Sequence, residues 1–256
     1  MEVLFLGTCA YDYSPKLQEE YKDCFDLDAR RSSSMLIDGQ YLIDCGDHCL
    51  EELRLAKVDF SAITDIFVTH LHRDHFSRAN LEILAQGRVV PLKLWVRADA
   101  KVTGVEGVEI KRMENKVSYF VKENFSVTGL QANHDPACCP QHFYFEYADK
   151  KMLYACDGAW FLTDTYNFLK NKKLDFCVLD ATCGDAVGEY RIAEHNTLPM
   201  LRLMTPSLKT VGIIDEHTQI YLSHIAPSLH VPHNQLQESV KKDGFKVAYD
   251  GLKIVF

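Results

Sequence analysis

Between Ile66 and Phe76 the chain reads IFVTHLHRDHF, so His70, His72, Asp74 and His75 place four potential metal ligands within six residues. An apolar strand runs straight into this cluster. Imidazoles at i and i+2 fall on one face of an extended chain. Asp74 and His75 follow where the chain turns and are expected to swing to a second position. One loop then offers a pair of ligands to each of two cations. Neutral imidazole nitrogen and carboxylate oxygen are donors that zinc, manganese and iron accept. The plain alternative is a surface turn that happens to be His-rich. Three histidines in six residues, where a hydrophobic strand stops, weigh against it.

Three more donors each follow an apolar run: His134 in FSVTGLQANHD, Asp157 in KMLYACDG and His224 in IYLSHI. Taken singly they say little. A lone His after a strand is more often a hydrogen-bonded packing residue, and Asp-Gly is usually a turn.

The elements that must position these donors are mostly short β-branched or aromatic runs. They occur at 3–6, 34–38, 41–45, 62–70, 92–96, 108–113, 125–132, 143–148, 151–156, 175–182, 220–225, 245–249 and 252–256. Asp38-Gly39 and Asp250-Gly251 read as hairpin turns, and a third tight turn is predicted at Ala148-Asp149-Lys150. Helical patterns fall at 49–57, 77–86, 163–172, 197–207 and 234–244, with Thr163 and Asn234 as N-caps and Gly244 as a stop. No repeat or Pro/Gly-rich linker divides the 256 residues. The pattern predicts one domain over 1–256 of α/β (α+β) class, a four-layer αββα sandwich.

Apolar residues make up 47% and charged residues 25%, enough for a large core, which excludes global disorder. A net charge of -8 argues against coating nucleic acid by bulk charge. It leaves room for a small phosphate-bearing substrate held by a few local cations. No run approaches the roughly 18 apolar residues that cross a bilayer. The segment MEVLFLGTCA, with Glu2 and no basic region, reads as a first strand rather than a signal peptide. Nine irregularly spaced cysteines are read as reduced thiols of a cytoplasmic protein, with Cys45, Cys156 and Cys177 as small buried hydrophobes.

The H-x-H-x-D-H string at 70–75 closely resembles the signature of the metallo-β-lactamase superfamily. His134, Asp157 and His224 follow in the order in which that family places its further ligands, and LIDCGD (42–47) looks like its LIDxG segment. The resemblance runs from about residue 3 to residue 225. It implies the metallo-β-lactamase fold, one site at His70, His72 and His134, a second at Asp74, His75 and His224, and Asp157 as the bridge. Two divalent ions are implied, zinc or manganese, with iron also admissible. Asp44 and Asp180 are then expected to orient ligands rather than to bind metal. Such a pair lowers the pKa of water from about 15.7 to about 7 and stabilises charge on a phosphoryl or carbonyl oxygen. Asp74 thereby counts as catalytic as well as a ligand.

Residues 178–204 (VLDATCGDAVGEYRIAEHNTLPMLRLM), with RRSSSMLID (30–38) and YLSHI (221–225), resemble the phosphodiesterase of the carbon–phosphorus lyase (phosphonate) pathway. The resemblance implies hydrolysis of cyclic phosphodiesters, either a ribosyl cyclic phosphate or a 2′,3′-cyclic nucleotide, with His195 as general acid. A phosphodiester expels an alkoxide, which leaves poorly without a proton. The bland alternative for His195 is a helix-start histidine bonded to backbone. Arg30, Arg31 and Ser33 are candidates for phosphate binding, and His233, with His230, for the pocket rim. His48, His142 and His217 carry no argument beyond packing. The best-known members of that branch hold a separate structural zinc on clustered N-terminal cysteines and a later His. Here the equivalent insert, 11–31, holds only Cys24, and Pro227 stands three past His224, so no third zinc is expected.

Other readings are a thioesterase, a lactonase or an RNA-processing nuclease of the same superfamily, or a non-catalytic metal-binding module. The long Gly- and Lys-rich arm of tRNA-processing enzymes is not found, and the complete ligand set speaks against a non-catalytic role. Expected partners are a small phosphate-bearing substrate, with no membrane and no bulk nucleic acid; a homodimer is left open.

Overall fold

The computed structural model describes residues 1–256. In chain order the elements are β1 (Glu2–Gly7), α1 (Pro15–Glu20), β2 (Ser34–Ile37), β3 (Tyr41–Ile43), α2 (Cys49–Leu55), β4 (Asp65–Phe67), α3 (Arg78–Ala85), β5 (Leu92–Arg97) and β6 (Val108–Met113). Then follow β7 (Ser118–Lys122), β8 (Phe125–Gln131), β9 (Gln141–Tyr147), β10 (Lys150–Ala155), α4 (Thr163–Leu169), β11 (Phe176–Asp180), α5 (Leu198–Thr210), β12 (Gln219–Ser223), α6 (His233–Val240), β13 (Phe245–Val247) and β14 (Lys253–Val255). They form two seven-stranded sheets, β14-β1-β2-β3-β4-β5-β6 and β13-β12-β11-β10-β9-β8-β7.

Strand periodicity builds the layers. Along β2, Met35 and Ile37 enter the layer between the sheets while Leu36 packs outward; along β10, Met152 and Tyr154 point in and Leu153 points out. The inter-sheet layer joins Phe5, Phe67 and Trp95 of the first sheet to Phe143, Phe145 and Phe176 of the second. Outside, α2 and α3 cover the first sheet through Leu53, Leu81 and Leu84, and α4, α5 and α6 cover the second through Leu169, Leu201 and Leu236. Both faces of each sheet are therefore covered, which is why the strands read as near-continuous apolar runs. The fold is the predicted αββα sandwich.

Strand direction then selects one edge for chemistry. The strands β3, β4, β5 and β6 run parallel, as do β10, β11 and β12, and β8 shares the latter direction because β9 is antiparallel to both β8 and β10. Cys9, just past β1, bridges to Ser32 on one side and Ile225 on the other, tying the two sheets together beside this edge.

Several local expectations differ from the structure. Asp38-Gly39 does turn the β2–β3 hairpin, with both residues at positive φ, and Ala148-Asp149 turns β9 into β10. Asp250-Gly251 makes no hairpin: it carries the chain from β13 in one sheet to β14 in the other. The Asp250 carboxylate is buried there and accepts from Thr8 Oγ1 and from the Arg31 N–H, each at 2.7 Å. Thr163 and Asn234 cap nothing, because each already lies inside its helix, behind Leu162 and Pro232. Helix α1 and strand β7 went unread because α1 buries no residue and β7 is a half-exposed edge strand. The run 62–70 shortens to three strand residues, so His70 lies on the loop beyond β4 rather than on the strand.

Candidate metal centre

The seven donors meet at the selected edge. His70, His72, Asp74 and His75 occupy the loop after β4; His134 follows β8, Asp157 follows β10 and His224 follows β12. His70, His72, His134 and Asp157 form one group whose ligand atoms all lie within 4.8 Å of one another, and Asp74, His75, Asp157 and His224 form a second. Asp157 belongs to both.

The spacing is that of coordination edges. His70 Nε2 lies 2.9 Å from His72 Nδ1, and His134 Nε2 lies 3.1 Å from the same atom. In the second group His75 Nε2 is 3.2 Å from His224 Nε2 and 3.4 Å from Asp74 Oδ2. Asp157 Oδ2 is 3.1 Å from His70 Nε2, 3.2 Å from His75 Nε2 and 3.4 Å from His224 Nε2. Four ligands about 2.0–2.1 Å from a tetrahedral zinc stand about 3.3 Å apart. Because the chain leaves β4 as a loop, His70 and His72 are not equivalent partners on one strand face. They converge through different ring nitrogens, Nε2 and Nδ1.

The remaining nitrogens of His70, His75 and His224 are held by two similar relays. On the first sheet, His70 Nδ1 lies 3.0 Å from Thr69 Oγ1, which in turn donates to Asp44, and His75 Nδ1–H donates to Asp44 Oδ2 at 2.7 Å. On the second, His224 Nδ1 lies 2.7 Å from Thr182 Oγ1, which donates to Asp180 Oδ2 at 2.8 Å. Thr69 and Thr182 escaped the sequence reading; the signal was their place, one residue before His70 and two after Asp180. Three of these residues, Asp44, Asp157 and His224, sit at φ between 56° and 63°, in the left-handed region that non-glycine residues avoid. Each turns the backbone sharply as its strand ends. Asp44→Asn keeps the shape and tolerates that φ. It is expected to weaken cation binding at the His75 group by about 10–100-fold, read by competition with a chromogenic chelator.

Gly46 makes a second demand on the backbone. A Cβ there would fall on the backbone carbonyl of Asp74. Gly46→Ala is expected to destabilise the fold by about 1–3 kcal/mol and to displace Asp74, detected as a lower melting temperature and a lost equivalent of metal.

Electrostatics favour cations here. Burial raises a carboxylate pKa, yet the imidazoles of His224 and then His195 hold Asp157 well below the carboxylate range. Asp74 is likewise lowered against its burial, chiefly by His75. Burial depresses His70 to about 3, so it is neutral, the form that ligates. His224 is pushed up to about 10, its burial outweighed by Asp157 and Asp180. The protons on His75 and His224 balance a surplus of carboxylate that divalent cations would balance instead.

Beside the cluster opens a cavity of about 480 Å³, lined by Tyr11, Asp12, Arg73, Thr182, Tyr190, Arg191, Glu194 and His195 together with His72, Asp74, His134, Asp157 and His224. His195 Nδ1 is 3.1 Å from Asp180 Oδ2, 3.1 Å from Asp157 Oδ1 and 3.2 Å from Thr182 Oγ1, which leaves Nε2 free for the cavity. The backbone-bonded alternative does not describe it.

The expected phosphate binders are elsewhere. Arg30 is buried, donating to Thr8 Oγ1 and the Ala248 carbonyl and contacting His233 Nδ1 at 3.0 Å. Arg31 pairs with Glu51, and Ser33 donates to the Cys9 carbonyl. His233 begins α6 beside Tyr249, and His230 binds the Ala181 carbonyl. None of the five lines the cavity. Their segment is the seam where β1, β2 and β13–β14 meet, and the charges there close a buried network.

Two buried His/Asp groups sharing one carboxylate, at the strand ends of a four-layer αββα sandwich, make a donor set for two divalent cations. The chain belongs to the metallo-β-lactamase superfamily, whose family model matches residues 27–162. Over 103 residues it is 32% identical to a ribonuclease Z of Methanococcus maripaludis, a stretch covering 39% of this chain and 30% of that relative. The chain thus spans under a third of the curated relative it matches. The fold is similar to that of zinc-bound PqqB from Methylobacterium extorquens (TM-score 0.74, 17% identity, 100% of each chain covered). It is similar as well to a diphosphatase of the PhnP family (TM-score 0.74, 19% identity, covering 100% of this chain and 97% of the other). No helix is long and apolar enough to cross a membrane.

Proposed function

We propose that the chain is a phosphodiesterase acting on small cyclic phosphodiesters, a ribosyl cyclic phosphate or a 2′,3′-cyclic nucleotide, as in the carbon–phosphorus lyase branch it resembles. The observation that carries this reading is the position of His195. It lines the cavity beside the shared Asp157, with Nδ1 held by Asp180 and Nε2 left for a departing oxygen. Bound at the two groups, divalent cations supply Lewis acidity and bring the pKa of coordinated solvent toward 7. The residues do the rest. Asp44, directly and through Thr69, fixes the rings and tautomers of His75 and His70, and Asp180, through Thr182, fixes those of His224. Asp180 holds the proton on His195 Nδ1, so the proton on Nε2 is the one delivered to the alkoxide.

An RNA-processing nuclease is the second reading, favoured by the local likeness to a ribonuclease Z. The rim weighs against it. Arg73 is paired with Asp47 and Arg191 with Glu189, each at 2.7 Å, and Asp12 and Glu194 share the wall. A polynucleotide needs a surplus of positive charge along its track. Purified, metal-replete protein assayed against 2′,3′-cyclic AMP, a thioester, a lactone and a precursor tRNA separates the readings. Cyclic phosphate turnover is expected to dominate; dominant thioester or tRNA turnover would replace the proposal.

A further inference from the structure

Two exposed aromatic side chains border the cavity from separate segments. Tyr11 follows β1, and Tyr190 opens a short 3₁₀ helix (Tyr190–Ala193) between β11 and His195. They are 56% and 84% exposed, and they are the only aromatic carbocycles in a pocket whose other walls, Ala10 apart, are polar. Both are braced. The Tyr11 ring meets Tyr13 edge-on at 5.9 Å, Tyr13 meets His48 edge-on at 4.5 Å, and His48 is fixed by Ser32 Oγ at 2.7 Å. Tyr190 carries the Arg191 guanidinium 5.7 Å from its ring centroid, and that guanidinium is anchored by Glu189. Braced, water-facing aromatic faces lose little freedom when a planar group stacks on them. The rim also has no surplus cation with which to hold a second phosphate: Arg73 and Arg191 are matched by Asp47 and Glu189, with Asp12 and Glu194 alongside.

We infer that Tyr11 and Tyr190 are the specificity-determining residues of this pocket, and that they select a phosphodiester bearing a planar heteroaromatic ring over a ring-free sugar or alkyl cyclic phosphate. This inference rests on the proposed phosphodiesterase reading and chooses between its two substrate classes. The scissile phosphoryl sits at the His/Asp cluster and the ring at the rim. A cavity of about 480 Å³ accommodates both parts, since small-molecule pockets run from about 300 to 1,000 Å³. Stacking is tolerant of base identity, so purine and pyrimidine substrates should differ little.

The test compares 2′,3′-cyclic AMP with glycerol 1,2-cyclic phosphate in the metal-replete protein, for wild type, Tyr11→Ala, Tyr190→Ala and the Tyr→Trp variants. Each alanine variant is expected to raise KM for cyclic AMP about ten-fold with little change in kcat, against under two-fold for the glycerol ester. The Trp variants should restore the wild-type KM. Calorimetry with adenosine 3′-monophosphate and glycerol 2-phosphate gives a readout free of turnover. If wild type hydrolyses neither cyclic ester but binds the adenosine nucleotide through the two tyrosines, the catalytic reading falls and the ring selection stands. Equal losses on both esters, or adenosine nucleotide binding unaffected by either alanine variant, would overturn the inference.

Discussion

His195→Ala is expected to slow hydrolysis of a 2′,3′-cyclic nucleotide by about 10²–10⁴-fold, the usual contribution of a positioned general acid. The leaving group of that reaction is a ribose alkoxide, which must be protonated as it departs. In bis(p-nitrophenyl) phosphate the leaving phenolate is stable as an anion, so the same variant should lose less than about ten-fold. Metal content should not change, because the two groups keep all seven donors without His195. Asp180→Asn should show the same substrate dependence at smaller amplitude, since Asp180 Oδ2 stands 3.1 Å from His195 Nδ1 and sets its tautomer. Steady-state kinetics on both substrates, with metal quantified on the same samples, decides it. Equal losses on the two esters at constant metal content would make His195 a structural neighbour of Asp157 rather than an acid.

Cation removal should have the second large effect. A cation present at about a thousand times its dissociation constant stabilises the folded state by about 4 kcal/mol. For a chain of this size that corresponds to a rise in melting temperature of roughly 8–16 °C. Dialysis against a chelator should therefore lower the melting temperature by that amount and abolish turnover, and zinc or manganese should restore both. Asp157→Ala should lose the response, because its carboxylate is the one donor common to both groups. In that variant elemental analysis should find the metal equivalents fall from two to well below one. A wild-type protein that binds less than one cation and melts at the same temperature with or without zinc would refute the dinuclear centre.

The donor set was legible because its information is local. Three histidines and an aspartate within six residues are improbable unless they act together, whereas His134, Asp157 and His224, each weak by itself, were singled out by the order in which the resembled family places its ligands. The sandwich was legible for a related reason: strands covered on both faces must be apolar throughout, and that leaves a plain record in residue type. Arg30 and Arg31 show where such reading stops. Two adjacent arginines beside three serines look like an anion site, and sequence cannot tell a solvent-facing guanidinium from one sealed into a network. Thr8, Glu51, Asp250 and the Ala248 carbonyl, up to 219 residues away in the chain, seal it.

Asp250-Gly251 failed in the same way. A hairpin dipeptide is defined by its own φ and ψ, but whether its flanking strands pair depends on which sheet has a free edge for each. By itself the amino-acid order determined which donors exist, the strands that end in them and the superfamily they resemble, since residue type and periodicity are properties of short stretches. Tertiary structure alone decided which ring nitrogen each histidine turns inward, that Thr69 and Thr182 hold those rings, and that Tyr11 and Tyr190 border the cavity. Those outcomes depend on distances of a few ångströms between segments separated by tens to hundreds of residues, and such distances exist only once both sheets have packed.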